Sequence, residues 1–371
     1  MAKSRVMLVD DAVVVRRFLT EIINEDPDLE VCAVAANGRI ALQKLDQANP
    51  DIVVMDVEMP EMNGIETLRA LRKSHPRLPV IMFSTLTDRG AATTLEALSL
   101  GANDYVCKPT NSGGIINAKQ AVRDDLLPKL RLFTGRLTRH GHPVAPAEPG
   151  LPARGVAPAV RLPVPVAKPR TAVPNVQPEV LTIGVSTGGP NALAELLPVL
   201  PADLGVPVLI VQHMPPLFTR FLADRLDAKS KLHVCEATHG MRVQSGTVYI
   251  APGGLHMVAV RQGTDVVLKL TEDPPENSCR PAVDPLFRSV AAVWGSHVLA
   301  VVLTGMGQDG CRGAARVREA GGVVLAQDEA SSVVWGMPGY VVQCGLADKV
   351  VPLRDMATEI TRRCHKPARV G

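Results

Sequence analysis

Aromatic residues are scarce: 3% of 371, as two tryptophans, three tyrosines and six phenylalanines. Ala, Val, Leu and Gly carry the apolar content instead, and a chain that is 46% apolar is not a disordered one. This composition suits packed α/β layers better than an aromatic-rich β-sandwich. The seven cysteines (Cys32, Cys107, Cys235, Cys279, Cys311, Cys344 and Cys364) include no C-x-x-C pair and no metal-type cluster. An odd, scattered set reads as reduced thiols, as expected of a cytoplasmic protein. No apolar run reaches about 18 residues, so no membrane insertion is expected. Met1–Arg5 leads straight into a strand pattern, which argues against a secretory leader. The net charge of +3 is unevenly spread. Residues 129–178 hold eight Lys/Arg against the single acid Glu148, so the remainder is mildly acidic. No nucleic-acid partner is expected, since a basic reading helix is missing.

What is present is alternation. In residues 1–128, strand-like runs (Val6–Val9, Val31–Ala35, Ile52–Met55, Val80–Phe83, Tyr105–Val106) are separated by amphipathic stretches. The latter are Val13–Asn24, Ile40–Ala48, Ile65–Ser74, Ala91–Leu100 and Ile115–Leu127. Five βα units at this spacing predict an open parallel sheet with helices on both faces. Residues 143–178 contain ten of the 31 prolines, so 129–178 reads as an extended, partly polyproline linker. Residues 179–365 return to βα alternation, with strand-like runs at Leu181–Val185, Val208–Gln212, Val248–Ala251, Val298–Leu303 and Val323–Ala326. Val258–Leu270 alternates around Gly263 and predicts a hairpin on the sheet edge.

Ligand sites in such sheets lie at the strand carboxyl ends. In the first half these ends carry Asp10 and Asp11, then Asp56, Ser84, and Lys108 before Pro109. Clustered carboxylates raise one another's pKa unless a cation joins them, and Mg²⁺ prefers oxygen ligands. With an ammonium and a hydroxyl facing them, the chemistry implied is phosphoryl transfer to a carboxylate followed by hydrolysis.

In the second half, Gly184-Val-Ser186-Thr-Gly188 follows an apolar strand and precedes a helical segment, as G-x-S-x-G. Ser186 would lie near a helix N-terminus, where backbone N–H groups favour an oxyanion. A nucleophilic serine needs a base and an orienting acid. His213 ends the strand Val208–Gln212 and should emerge beside Ser186; His256 is the second candidate. Asp309 follows Val298–Leu303, with Asp284 as rival, although Asp284 reads better as the cap of a helix over Pro285–Trp294. A competing reading stands beside this one. Gly305-x-Gly307-x-x-Gly310, between a strand and a helix over Cys311–Glu319, with Asp328 beyond, satisfies most of a dinucleotide fingerprint.

Both halves resemble known families. Leu8-Val-Asp-Asp11, Met55-Asp-Val-Glu-Met-Pro60, Phe83-Ser-Thr85, Tyr105 and Lys108-Pro109 resemble the response-regulator receiver domain. That resemblance implies a flavodoxin-like (βα)5 fold with Asp56 as phosphoacceptor. It further implies Mg²⁺ held by Asp11, Asp56 and the Glu58 backbone carbonyl with Asp10 nearby, and Ser84 and Tyr105 as switch residues. Ile183-Gly-Val-Ser-Thr-Gly-Gly189, Gln212-His-Met-Pro215, Tyr249-Ile-Ala-Pro-Gly253, Arg280-Pro281, Leu303-Thr-Gly-Met-Gly-Gln-Asp-Gly310 and Gly336-Met-Pro338 resemble the catalytic domain of chemotaxis protein-glutamate methylesterases. That implies a doubly wound, Rossmann-like catalytic domain with Ser186, His213 and Asp309 as a triad. Thr187 and Met306 are the expected backbone oxyanion donors. Hydrolysis would need no cofactor. The substrates implied are methyl-accepting chemotaxis receptors, and the phosphodonor implied is a chemotaxis histidine kinase. The resemblance also implies that the unphosphorylated receiver packs against the catalytic face and blocks it.

Overall fold

The structure, a computed structural model, describes residues 2–109, 114–135 and 176–364. Most of the expected linker, residues 136–175, and the tail from 365 onward therefore lie outside the described residues.

The first sheet is built from five βα units. These are β1 (Ser4–Val9) with α1 (Val13–Asn24), β2 (Leu29–Ala35) with α2 (Gly38–Ala48), and β3 (Ile52–Asp56) with α3 (Gly64–Ser74). β4 (Val80–Ser84) with α4 (Asp88–Ser99), and β5 (Asp104–Cys107) with α5 (Gly114–Phe133), complete them. All strands run parallel in the order β2-β1-β3-β4-β5. β3 and β4 are buried along their whole length, which is why they read as unbroken apolar runs. The two-residue period of a strand divides β1 between two cores. Met7 and Val9 pack on one face, Val6 and Leu8 on the other with Leu19, Ile22 and Leu126. α5 continues through Pro128, past the expected end at Leu127. Leu130 and Leu132 are buried beyond the proline, and this packing offsets the lost helical hydrogen bond.

The second half starts with β6 (Val180–Val185), α6 (Gly189–Leu196), β7 (Val208–Gln212), α7 (Phe218–Asp227), β8 (His233–Glu236) and β9 (Thr247–Ile250). It continues with β10 (His256–Gln262), β11 (Asp265–Thr271), α8 (Val283–Trp294), β12 (Val298–Val302), α9 (Cys311–Glu319) and β13 (Val323–Gln327). α10 (Met337–Gln343), β14 (Lys349–Val351) and α11 (Leu353–Cys364) close it. Seven strands form one parallel sheet in the order β14-β13-β12-β6-β7-β9-β8. The chain leaves β6 toward β7 and later returns to β12 on its other side. The crevice of this doubly wound sheet therefore opens where β6 meets β12.

Two expectations need correction. β10 and β11 do form a hairpin, but as a separate two-stranded sheet rather than as an edge of the main one. Met257, Ala259 and Leu268 bury their side chains in the core that α8 also enters. Asp284 does not cap α8, which starts at Val283 with Ala282 before it. Its carboxylate instead accepts the Gly313 N–H at 2.7 Å, tying α8 to α9. Among the described residues, no helix is long and apolar enough to cross a membrane.

Candidate active site and the acidic pocket

β7, β6 and β12 lie side by side, and their carboxyl ends carry His213, Ser186 and the loop to Asp309. Val185 pairs with Gln212 in the sheet, so Ser186 and His213 leave adjacent strands at the same level. The Ser186 turn is held from both neighbours. Its N–H donates to the Thr304 carbonyl at 3.0 Å, and its carbonyl accepts Gln212 Nε2 at 3.1 Å. Gly188 takes a left-handed φ of +79°, and a Cβ there would meet the Val333 side chain at 2.7 Å. The Ser186 side chain is half-buried, and its hydroxyl makes no hydrogen bond among the described residues. Nor is any acceptor there paired with the backbone N–H of Thr187 or Met306.

His213 Nε2 donates to Asp309 Oδ2 at 2.8 Å. Asp309 is 2% exposed, so an ionised carboxylate there must be saturated with donors. It is: Oδ2 also accepts the Val283 N–H at 2.6 Å, and Oδ1 accepts Asp284 N, Gly310 N and Asn277 Nδ2. Burial pulls the Asp309 pKa up, but His213 and the backbone donors outweigh it and hold the carboxyl below its ordinary value. Burial likewise works against a cationic His213, yet Asp309 and then the adjacent Cys279 thiol raise its pKa. Asp284, buried beside Asp309, is pushed up to about 6 by burial and by the Asp309 charge.

The rival assignments fail on geometry. His256 is consumed structurally: Nε2 donates to the Pro274 carbonyl at 3.1 Å, and Nδ1 accepts the Ala282 N–H at 3.1 Å. The glycine-rich turn is a poor pyrophosphate cradle, because the Asp309 carboxylate already occupies the Gly310 N–H at the start of α9. The sequence reading missed Asn277 and Cys279. Only the chain's return over Asp309 brings them to the site.

In the first half, Asp10, Asp11 and Asp56 place ligand oxygens within 4.8 Å of one another. Lys108 Nζ spans two of them, donating to Asp56 Oδ2 at 2.7 Å and to Asp10 Oδ2 at 3.0 Å. Burial, and to a lesser degree the Asp10 charge, outweighs Lys108 and lifts the Asp56 pKa to about 6. Converging hard oxygen donors with surplus negative charge fit a divalent cation such as Mg²⁺. Ser84 is fully buried, donating to the Gly90 carbonyl at 3.2 Å and accepting from Thr94 Oγ1 at 2.7 Å. Glu58 N–H points to Asp56 Oδ1 at 3.4 Å, while its side chain pairs with Arg89.

Tyr105 connects the two halves. Its ring stacks on Phe218 of α7 with centroids 4.9 Å apart and planes 10° apart. Lys129 Nζ lies 5.4 Å from the same ring and donates to the Tyr105 carbonyl at 2.6 Å. Asn191 of α6 donates to the Leu98 carbonyl of α4 at 2.9 Å. One apolar cluster runs across this contact, from Met82 and Leu98 to Leu193 and Phe218.

Comparison with known proteins agrees with both halves. Residues 6–120 match the response regulator receiver domain, and residues 181–360 match the CheB methylesterase family. This order defines a response regulator whose second half is an enzyme of the methylesterase class. A protein-glutamate methylesterase/protein-glutamine glutaminase of Trichodesmium erythraeum is 49% identical over 366 residues, covering 98% of this chain and 99% of that one. One from a Nocardioides species is 50% identical over 359 residues, covering 97% of this chain and 95% of its own. The Thermotoga maritima CheB methylesterase catalytic domain aligns at 43% identity with TM-score 0.49, covering 50% of this chain and 99% of that one. The chain belongs to the protein-glutamate methylesterase/protein-glutamine glutaminase family.

Proposed function

We propose that Ser186, His213 and Asp309 are the catalytic triad of this response-regulator esterase, with phosphorylation of Asp56 as its control. The substrates are methylated glutamates, and glutamines, on the cytoplasmic domains of chemotaxis receptors. The observation that carries the reading is the saturated His213–Asp309 pair beside a serine whose hydroxyl is uncommitted. Because Nε2 is engaged by Asp309, Nδ1 is the nitrogen left to take the Ser186 proton. The serine oxygen attacks the γ-carbonyl, and Asp309 stabilises the imidazolium that forms. The unpaired N–H groups of Thr187 and Met306 are the donors suited to the oxyanion. His213 then protonates the departing methanol, or ammonia from a glutamine, and activates the water that frees the enzyme. In the receiver, Asp10, Asp11, Asp56 and the Glu58 carbonyl would hold Mg²⁺, which offsets phosphate charge when bound. A chemotaxis histidine kinase is the donor, and Lys108 is placed to pair with the phosphoryl group once it is on Asp56.

The test is methanol release from a methylated receptor cytoplasmic domain, with and without a small phosphodonor. Ser186→Ala is expected to lose at least about 10³-fold in rate. Asp56→Asn is expected to keep basal release and lose stimulation. Release that survives Ser186→Ala would overturn the triad.

A further inference from the structure

The Asp309 carboxylate shares its burial site with a second carboxylate, Asp284, which is 1% exposed. Two like charges this close destabilise each other, and only donors between them make the pair tolerable. Asn277 supplies that bridge. Its side-chain nitrogen donates to Asp309 Oδ1 at 2.8 Å and to Asp284 Oδ2 at 3.0 Å.

The segment that brings it there is built for the purpose. Glu276 and Cys279 exchange backbone hydrogen bonds, N–H to carbonyl, at 3.1 and 2.9 Å. Between them Asn277 and Ser278 both have positive φ, 52° and 63°. This is the two-residue turn that needs left-handed backbone at both central positions and favours Asn at the first. Each corner of the turn is anchored. Glu276 accepts hydrogen bonds from both terminal guanidinium nitrogens, Nη1 and Nη2, of Arg288 on α8. Asn277 reaches the carboxylates, and Cys279 lies against His213.

Resting on the triad assignment above, we propose that Asn277 is a positioning residue for the esterase reaction. With Oδ1 held by Asn277, Asp284 N–H and Gly310 N–H, the carboxylate is fixed in orientation, and Oδ2 faces His213 and the Val283 N–H.

Asn277→Gly isolates the effect, because glycine accepts the left-handed backbone and removes only the amide. Ser278→Gly tests the turn without touching the site. With the full chain and a receptor fragment carrying tritiated methyl groups, Asn277→Gly is expected to lower kcat about 10- to 100-fold, with KM within about twofold. That is the worth of one hydrogen bond to a charged group. The downfield ring N–H proton resonance expected of His213 in the wild type should weaken or shift upfield in Asn277→Gly. Ser278→Gly is expected to keep kcat within about twofold. A kcat for Asn277→Gly within twofold of the wild type overturns the proposal. So does a loss shared equally by Ser278→Gly with an unmoved ring-proton resonance, because the turn would then matter only structurally. Ser186→Ala in the same assay separates the layers: release surviving it sinks the triad, while release abolished by it and untouched by Asn277→Gly sinks only this inference.

Discussion

Replacing Tyr105 with alanine should open the enzyme without phosphate. The ring is 8% exposed, and its partner is Phe218 across the contact between the two halves. Losing the stack forfeits about 1 kcal/mol, and losing the buried ring about 2 kcal/mol more. Together these shift the closed-to-open ratio roughly 100-fold. A chain that is closed about 99% of the time would become about half open, so unstimulated methanol release should rise up to about 50-fold. Phosphodonor stimulation should shrink to about twofold, because the open fraction cannot exceed one. The assay is initial release rate without phosphodonor, normalised to the fully phosphorylated rate of the same preparation. Asn191→Ala gives a graded companion: it removes one hydrogen bond across the contact, worth about 1 kcal/mol, or roughly fivefold. If Tyr105→Ala retains wild-type unstimulated release and full stimulation, the contact through Phe218 is not what holds the enzyme shut.

Two other outcomes are expected. Asp56 has a folded pKa of about 6 against 3.8 when unperturbed, so the folded state binds its proton more tightly than the unfolded one. Stability is then lost as pH rises from about 4 to about 6, by about 2–3 kcal/mol. Asp284 behaves alike, so the quantity to measure is the difference in urea midpoint between wild type and Asp56→Asn. This difference should grow in favour of the variant across that window, and at pH 7 Mg²⁺ should raise the midpoint of the wild type alone. Gly253→Ala places a methyl group 2.2 Å from the Pro215 carbonyl carbon, in backbone that cannot yield cheaply. It should cost about 1–3 kcal/mol in stability and disturb the loop carrying His213, read as a drop in both melting temperature and kcat.

Much of this was legible in the sequence because parallel strands buried on both faces cannot avoid apolar runs. β3, β6, β7 and β12 are buried throughout, and each was visible as such a run. The strand-end acids, Ser186 and His213 were visible as candidates because strand carboxyl ends are where such a sheet places its ligand-facing residues. What escaped notice was marginal or long-range. β14 has only Val351 buried, and β8 starts on exposed His233, so neither carries a pattern. The hairpin alternates as an edge strand would, and nothing local reveals that α8 rather than the sheet covers it. The partnership of Tyr105 with Phe218 spans more than a hundred residues. Asn277 looks like any turn asparagine until Asp309, 32 residues further on, folds beneath it.

The glycine-rich turn before α9 has a wider meaning. Such turns ordinarily serve as receptors for mobile anions, and their occupancy then follows metabolite concentration. Here the anion is a side chain of the turn itself, so its effective concentration is fixed and no dissociation step exists. A free phosphate would have to displace that carboxylate to reach the Gly310 N–H. At this turn the anion is thus part of the fold, and a phosphoryl group is expected instead at the acidic pocket of the first half.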